Sequence, residues 1–323
     1  MRAIVNTSPG KLEMLEVATP APGPGQVRIR TAACGICATD LEMIGGWERT
    51  GFPSIPGHEW SGTVDAAGEG VGESLVGRPC VGENVLADGG EVGFEHPGGY
   101  GEYLLTSASN IHLLPDRFPM YIAALIEPLG VCVRGLHRLR PDAKGPVLII
   151  GDGPIGLMMC MLMRRRGLET MLLGGRPERL ELALSFGASK CLNYHDLAGE
   201  LSEEVVTAAG TQFPTILECS GSSDAMNACF ELAAREGRVL MLGDYAHATA
   251  GFRWNRVLWQ EIELIGSNAS AGAWQEATEL AVEKSLPLGS IITHRVSAAE
   301  FELGYNLARD RQSGAIKIVM EWT

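Results

Sequence analysis

Residues 146 to 156 read PVLIIGDGPIG, and no other stretch limits the fold so sharply. A short run of branched apolar side chains fits a strand buried on both faces, and this one enters a glycine-rich turn directly. Gly151, Gly153 and Gly156, with Pro154 and Ile155 between them, stand at G-x-G-x-x-G spacing. In a strand–turn–helix setting the first glycine makes the turn and the second lets backbone approach a pyrophosphate. The third brings helix against strand, and the helix N-terminus supplies partial positive charge. The bland alternative is a tight turn with no ligand. The residues beyond the turn favour the nucleotide setting: a helix near 156–166, strand TMLL, a helix in RPERLELALSFG, strand TILECS, a helix in DAMNACFELAA and strand RVLML. Such alternation predicts a parallel, doubly wound α/β sheet.

A chain of 323 residues is long for one domain, and two are expected. The first 120 residues read as short β segments (AIV, QVRIRTAA, GTVDAAG, RPCVGENVLA, YGEYLLTSA) parted by turns such as TPAPGPGQ and HPGGYG. They predict a loop-rich, barrel-like β domain. Helical spacing of apolar residues begins in AALIEPLGVCVRGLHRL, residues 123 to 139. The expected division is therefore 1–123 with 290–323 for the β domain, and 124–289 for the doubly wound one.

The net charge of -13, with no basic tract, argues against nucleic acid as a partner. The N-terminus lacks a basic-then-apolar leader, and no uninterrupted apolar run approaches the ~20 residues that span a bilayer. The eight cysteines are scattered through both halves, which predicts reduced thiols and a cytoplasmic protein.

At the end of the second strand of the doubly wound sheet, NAD sites place an acid for the ribose 2′-hydroxyl, whereas NADP sites offer an arginine. The sequence there is MLLGGRPER, with Gly174 at the acid position and Arg176 and Arg179 just beyond. This predicts NADP(H). The competing possibility is that Arg176 is a solvated residue starting a helix.

The segment CGICATD, residues 34 to 40, raises a separate question. Two cysteines at C-x-x-C spacing suit a redox pair or half of a structural zinc site. The zinc site needs a second pair, and none is present downstream. Further on stand His58 and Glu59 in PGHEWSG and Glu127 in IEPLG. A thiolate, an imidazole and one carboxylate make a plausible zinc site with an open fourth position.

Taken together, CGIC-x-TD, GHE-x-x-G, EPL, G-x-G-x-x-G and ECSG stand in one order along essentially the whole chain, and the set resembles the zinc-dependent medium-chain dehydrogenase/reductase family. The resemblance is nearest to the polyol and sugar branch, and GHEWSG also looks like the aminocyclitol dehydrogenases of aminoglycoside biosynthesis. It implies a GroES-like β catalytic domain plus a Rossmann domain, and a homodimer or homotetramer acting on a small polar substrate. By the family pattern Cys37 is the metal ligand and Cys34 is structural, so that CGIC is not a redox pair. His58 is the imidazole ligand, Glu59 or Glu127 the carboxylate, and one catalytic zinc is held per chain. Thr39 passes the substrate proton, Asp40 orients the ligands, and Ser220 of ECSG lies at the cofactor. The chain departs from many relatives in three ways: Cys80 stands alone where a structural zinc is held by four cysteines, Glu42 replaces a relay histidine, and Ala269 replaces a polyol-binding arginine. The last argues against sorbitol. Trp47, Glu48, Arg49, Phe52 and Trp274 are candidates for the pocket wall, with Glu42 and Glu48 as acids for a cationic substrate.

Overall fold

A computed structural model describes the chain from Met1 to Trp322, except Glu48, Arg140, Pro141 and Lys284; Thr323 is also outside it. The chain forms two compact units, Met1–Pro128 with Trp274–Thr323, and Leu129–Ala273.

The second unit is built on a six-stranded parallel sheet. Its strands lie in the order Lys190–Asn193, Thr170–Gly174, Val147–Ile150, Phe213–Glu218, Ala233–Met241, Glu263–Gly266. Numbered along the chain, that is 3-2-1-4-5-6, the dinucleotide-binding arrangement with its crevice beside the first strand. The four residues of Val147–Ile150 are all buried, as an unalternating apolar run requires. Helices Pro154–Arg165, Pro177–Phe186 and Ser223–Leu232 cover the sheet. Leu148, Met171, Phe213 and Ile216 share one core cluster with Met226, Phe230 and Leu232 of Ser223–Leu232.

The first unit is a seven-stranded, mostly antiparallel sheet with a separate two-stranded hairpin, Arg2–Ser8 and Lys11–Glu16. Its spine is the eleven-residue strand Gln26–Ile36, which pairs with Glu59–Ala67, Lys317–Glu321 and Tyr103–Ser107. Trp60 fills the core, and its indole N–H donates to Asn84 Oδ1 at 2.9 Å. Of the expected strand RPCVGENVLA, only Pro79–Gly82 is extended.

Two expectations need correction. The chain returns to the first unit at Trp274, well before residue 290. The cause is helix Trp274–Val282, whose buried face belongs to that unit: Trp274 is 2% exposed and stacks on His112, with ring centroids 5.9 Å apart. Trp274 therefore packs in a core rather than facing a pocket. One helix also bears on the expected absence of a long apolar run, and its run is interrupted by Glu127, Arg134 and Arg138. Met120–Leu139 spans 20 residues and holds an 18-residue window of mean hydropathy 1.2, long and apolar enough by composition to cross a membrane, but 67% of that window is buried inside the protein. Most of its apolar surface is thus already covered by protein.

The glycine turn explains its own sequence. Gly151 sits at φ +114, a region L side chains rarely adopt, and a Cβ on Gly156 would lie 1.9 Å from the Gly151 carbonyl oxygen. Gly156→Ala must therefore push helix Pro154–Arg165 off the sheet. We expect it to cost about 1–3 kcal/mol, as overpacking generally does, read as a lower Tm and weakened nucleotide binding. An unchanged melting curve would contradict this packing.

Candidate metal and nucleotide sites

Helix Ala38–Gly45 starts from Cys37, whose backbone N–H donates to the Asp40 carboxylate at 2.9 Å. The other Asp40 oxygen lies 3.1 Å from His58 Nδ1. One fully buried carboxylate thus braces both the thiol-bearing turn and the imidazole. With Nδ1–H donated to Asp40, His58 keeps Nε2 as a lone-pair donor, the arrangement a metal-binding histidine needs. Phe94 packs against the imidazole, the ring centroids 4.9 Å apart.

The donor atoms of Cys37, His58 and Glu59 lie within 4.8 Å of one another. A soft thiolate, an imidazole and a carboxylate suit zinc, and three protein ligands leave the fourth position open. Glu127, a helical residue 9% exposed, does not join that group. Cys34 is fully buried and packed in the core, and burial, with Asp40 and Glu59 close by, raises its thiol well above the usual range. It forms no disulfide with Cys37. Gly35 between them lies against the Glu59 carboxylate, since a Cβ there would stand 1.9 Å from Glu59 Oε2.

Sequence reasoning missed Lys317. Its ammonium lies 2.6 and 2.7 Å from the two Glu59 oxygens and 3.4 Å from the Ile36 carbonyl, with the side chain 4% exposed. Burial works against that charge, but Glu59 outweighs it and raises the lysine pKa. Thr39 Oγ1 is 3.7 Å from the Cys37 thiol, and Glu42 lies exposed further along the same helix. Arg49 is engaged by Glu95 at 2.6 Å and Glu91 at 2.7 Å, with its guanidinium 4.6 Å from the Phe94 ring centroid. Phe52 is 38% exposed, and Glu48 lies outside the described residues.

In the second unit, Gly153 has no atom within 4 Å of where a Cβ would stand, so open space adjoins the second glycine of the turn. It caps helix Pro154–Arg165, with Pro154 at its first position and Ile155 and Gly156 behind. This is the cradle a pyrophosphate needs. Ser220 flanks the turn, its backbone N–H donating to Glu218 at 2.8 Å. At the end of Thr170–Gly174 the structure adds an acid that the strand itself lacks. Asp152, 5% exposed, accepts the N–H groups of Gly175 at 3.0 Å and Arg176 at 2.9 Å, and pairs with Arg176 Nη1 at 2.9 Å. Arg179 Nη1 stands 3.7 Å from the same carboxylate. Arg176 is thus not simply a solvated helix start. Ala269 adopts a left-handed conformation, φ 53.

Residues 23–116 match the alcohol dehydrogenase GroES-like domain, and residues 154–283 the zinc-binding dehydrogenase domain. An L-threonine 3-dehydrogenase of Rhizobium johnstonii is 32% identical over 100% of this chain and 99% of its own length. Galactitol-1-phosphate dehydrogenase from Escherichia coli superposes with a TM-score of 0.89 at 26% identity, covering 99% of this chain and 100% of that one. A protein from Sinorhizobium meliloti 1021, solved bound to NADP, has a TM-score of 0.91 at 24% identity, covering 99% and 98%, and shares the fold. The chain belongs to the zinc-type medium-chain dehydrogenase/reductase family. It is an oxidoreductase of the alcohol and polyol dehydrogenase type.

Burial pushes the Glu127 carboxyl up to about 7, against the opposing pull of His58 and Lys317. His58 is raised as well: burial alone would lower it, and Asp40 more than compensates. Both groups hold a proton more readily folded than unfolded, so both stabilise the metal-free protein at low pH. The Glu127 contribution is complete below its ordinary carboxyl value and is lost as pH rises through about 7. Metal-depleted protein should therefore lose stability between about pH 5 and 8. Glu127→Gln should reduce the total loss across that range by on the order of 3 kcal/mol, leaving the His58 part. Thermal melts across that range check it, and identical slopes in the two proteins would refute the assignment.

Proposed function

We propose that the protein is a zinc-dependent, NADP(H)-linked oxidoreductase that reduces a ketone, or oxidises the corresponding secondary alcohol, on a sugar, amino sugar or aminocyclitol. The observation that carries this is the convergence of Cys37, His58 and Glu59 around one buried point, braced by Asp40. Zinc and the nicotinamide, when bound, supply polarisation of the substrate oxygen and hydride respectively. Cys37, His58 and Glu59 would hold the metal, with Glu127 as the alternative carboxylate. Asp40 fixes the imidazole and the thiol-bearing turn, so that neither has to reorganise as charge develops. Lys317 holds Glu59 in place and offsets its charge. The Thr39 hydroxyl, beside Cys37, passes the proton of the forming alcohol, and Glu42 on the exposed face of the same helix carries it to solvent.

Substrate class rests on chemistry shared by the relatives. L-threonine is a secondary alcohol beside an ammonium, and galactitol-1-phosphate is a polyol; an aminocyclitol combines both patterns. The net charge of -13 favours a cationic substrate at long range. The whole-length likeness to L-threonine 3-dehydrogenases supports a second reading, in which L-threonine itself is the substrate.

Purified protein should contain one zinc per chain, and Cys37→Ala should remove both metal and activity. Two zincs by elemental analysis, or full activity after chelation, would overturn this. A substrate screen separates the readings. Turnover of amino-ketosugars with a KM that rises with ionic strength supports the first, and preferential oxidation of L-threonine the second. Equal turnover of simple aliphatic ketones, without a salt effect, would point instead to a general reductase.

A further inference from the structure

We propose that Asp152 is a built-in occupant of the anion site at the end of strand Thr170–Gly174, and that it sets how far the chain discriminates NADP(H) from NAD(H). The proposal deepens the cofactor reading above and rests on it. The donors around the Asp152 carboxylate are two successive backbone N–H groups, Gly175 and Arg176, at the start of helix Pro177–Phe186, together with the Arg176 guanidinium. Arg179 Nη1 stands 3.7 Å from the same carboxylate oxygen that Arg176 pairs with. Backbone N–H groups at a helix N-terminus with arginine beside them form the donor set a phosphate monoester takes. Here a carboxylate of the protein already fills it.

Gly174 shows why the acid stands in the loop rather than on the strand. A Cβ at Gly174 would lie 2.7 Å from Asp152 Cβ and 3.0 Å from Oδ2. An acid at position 174 and Asp152 therefore exclude each other in this geometry. The carboxylate that a NAD site carries on its second strand has moved to the turn after the first strand, and it is still delivered to the same strand end. A bare ribose 2′-hydroxyl can donate to such a carboxylate. A 2′-phosphate must instead share Arg176 with it and bear the repulsion between two anions at close range. Arg176, whose side chain is 41% exposed, keeps a free edge for the phosphate, so the result is a preference held down rather than reversed.

The alternative is that Asp152 only braces Arg176 for the phosphate, and the two ideas predict opposite signs. Titration calorimetry of the full chain with 2′,5′-ADP and 5′-AMP reads the effect without metal or turnover. Asp152→Asn retains an acceptor for the backbone N–H groups and removes the charge. It should bind 2′,5′-ADP about tenfold more tightly or better, with 5′-AMP unchanged or weaker. Arg176→Ala should weaken 2′,5′-ADP alone. A folded Asp152→Asn that binds 2′,5′-ADP no better than the parent overturns the proposal. If that variant does not fold, Asp152→Ser gives the same readout, and failure of both to fold overturns it too by making Asp152 a structural bracket. A parent chain that binds neither nucleotide removes the cofactor reading itself, and the proposal with it. Binding by the parent leaves Asp152→Asn to decide.

Discussion

The ion pair between Glu59 and Lys317 joins residues far apart in sequence, and both side chains are almost closed to solvent. Their side chains are 1% and 4% exposed, and both carboxylate oxygens are engaged. Two charges taken out of water cost several kcal/mol each, and only close contact with extra hydrogen bonds offsets that. Here the additional acceptor is the Ile36 carbonyl, on the spine of the sheet. The pair ties strand Lys317–Glu321 to strand Glu59–Ala67 across Gln26–Ile36, to which both are hydrogen-bonded. The tail of the chain is thereby fixed beside the proposed metal ligands. Removing either partner would leave an uncompensated buried charge, typically a loss of about 3–5 kcal/mol.

The rest of the donor set depends on this placement. Gly35 has no side chain because the Glu59 carboxylate occupies the space. One turn on, Asp40 accepts from Cys37 N–H and faces His58 Nδ1, so a single carboxylate couples the helix start to the strand that begins after His58. The site is therefore built from paired groups: Asp40 hydrogen-bonded with His58, and Glu59 ion-paired with Lys317. In the proposed zinc reading, a cation held by Cys37, His58 and Glu59 would meet side chains whose orientation is already set by protein contacts. Such preorganisation limits the rearrangement needed as charge develops on a substrate oxygen.

The features legible in the sequence were those that depend on neighbours along the chain. The strand–turn–helix at Val147–Arg165 declared itself through an apolar run, three glycines and a proline, all local signals. Cys37, Thr39 and Asp40 fall on one helix start for the same reason. Lys317 could not be found this way, because a lysine in a strand sequence ordinarily reads as an exposed position, and its partner is remote in sequence. The early return of the chain at Trp274 was hidden too, since a helix of alternating apolar and polar residues carries no mark of which core it covers.

The proposed cofactor discrimination illustrates the same limit at the level of one charge. A rule stated by sequence position looks for an acid at Gly174 and, finding none, reads an NADP site. The ligand responds to electrostatic potential at a point in space, which depends on where the carboxylate ends up rather than on which residue bears it. Parallel pairing of Thr170–Gly174 with Val147–Ile150 puts the loops after the two strands side by side. A side chain at position 152 therefore reaches the end of the neighbouring strand, and the small residue there leaves it room. The pair Asp152 and Gly174 is thus one feature shared between a loop and the end of the neighbouring strand, and only the register of the sheet makes it visible.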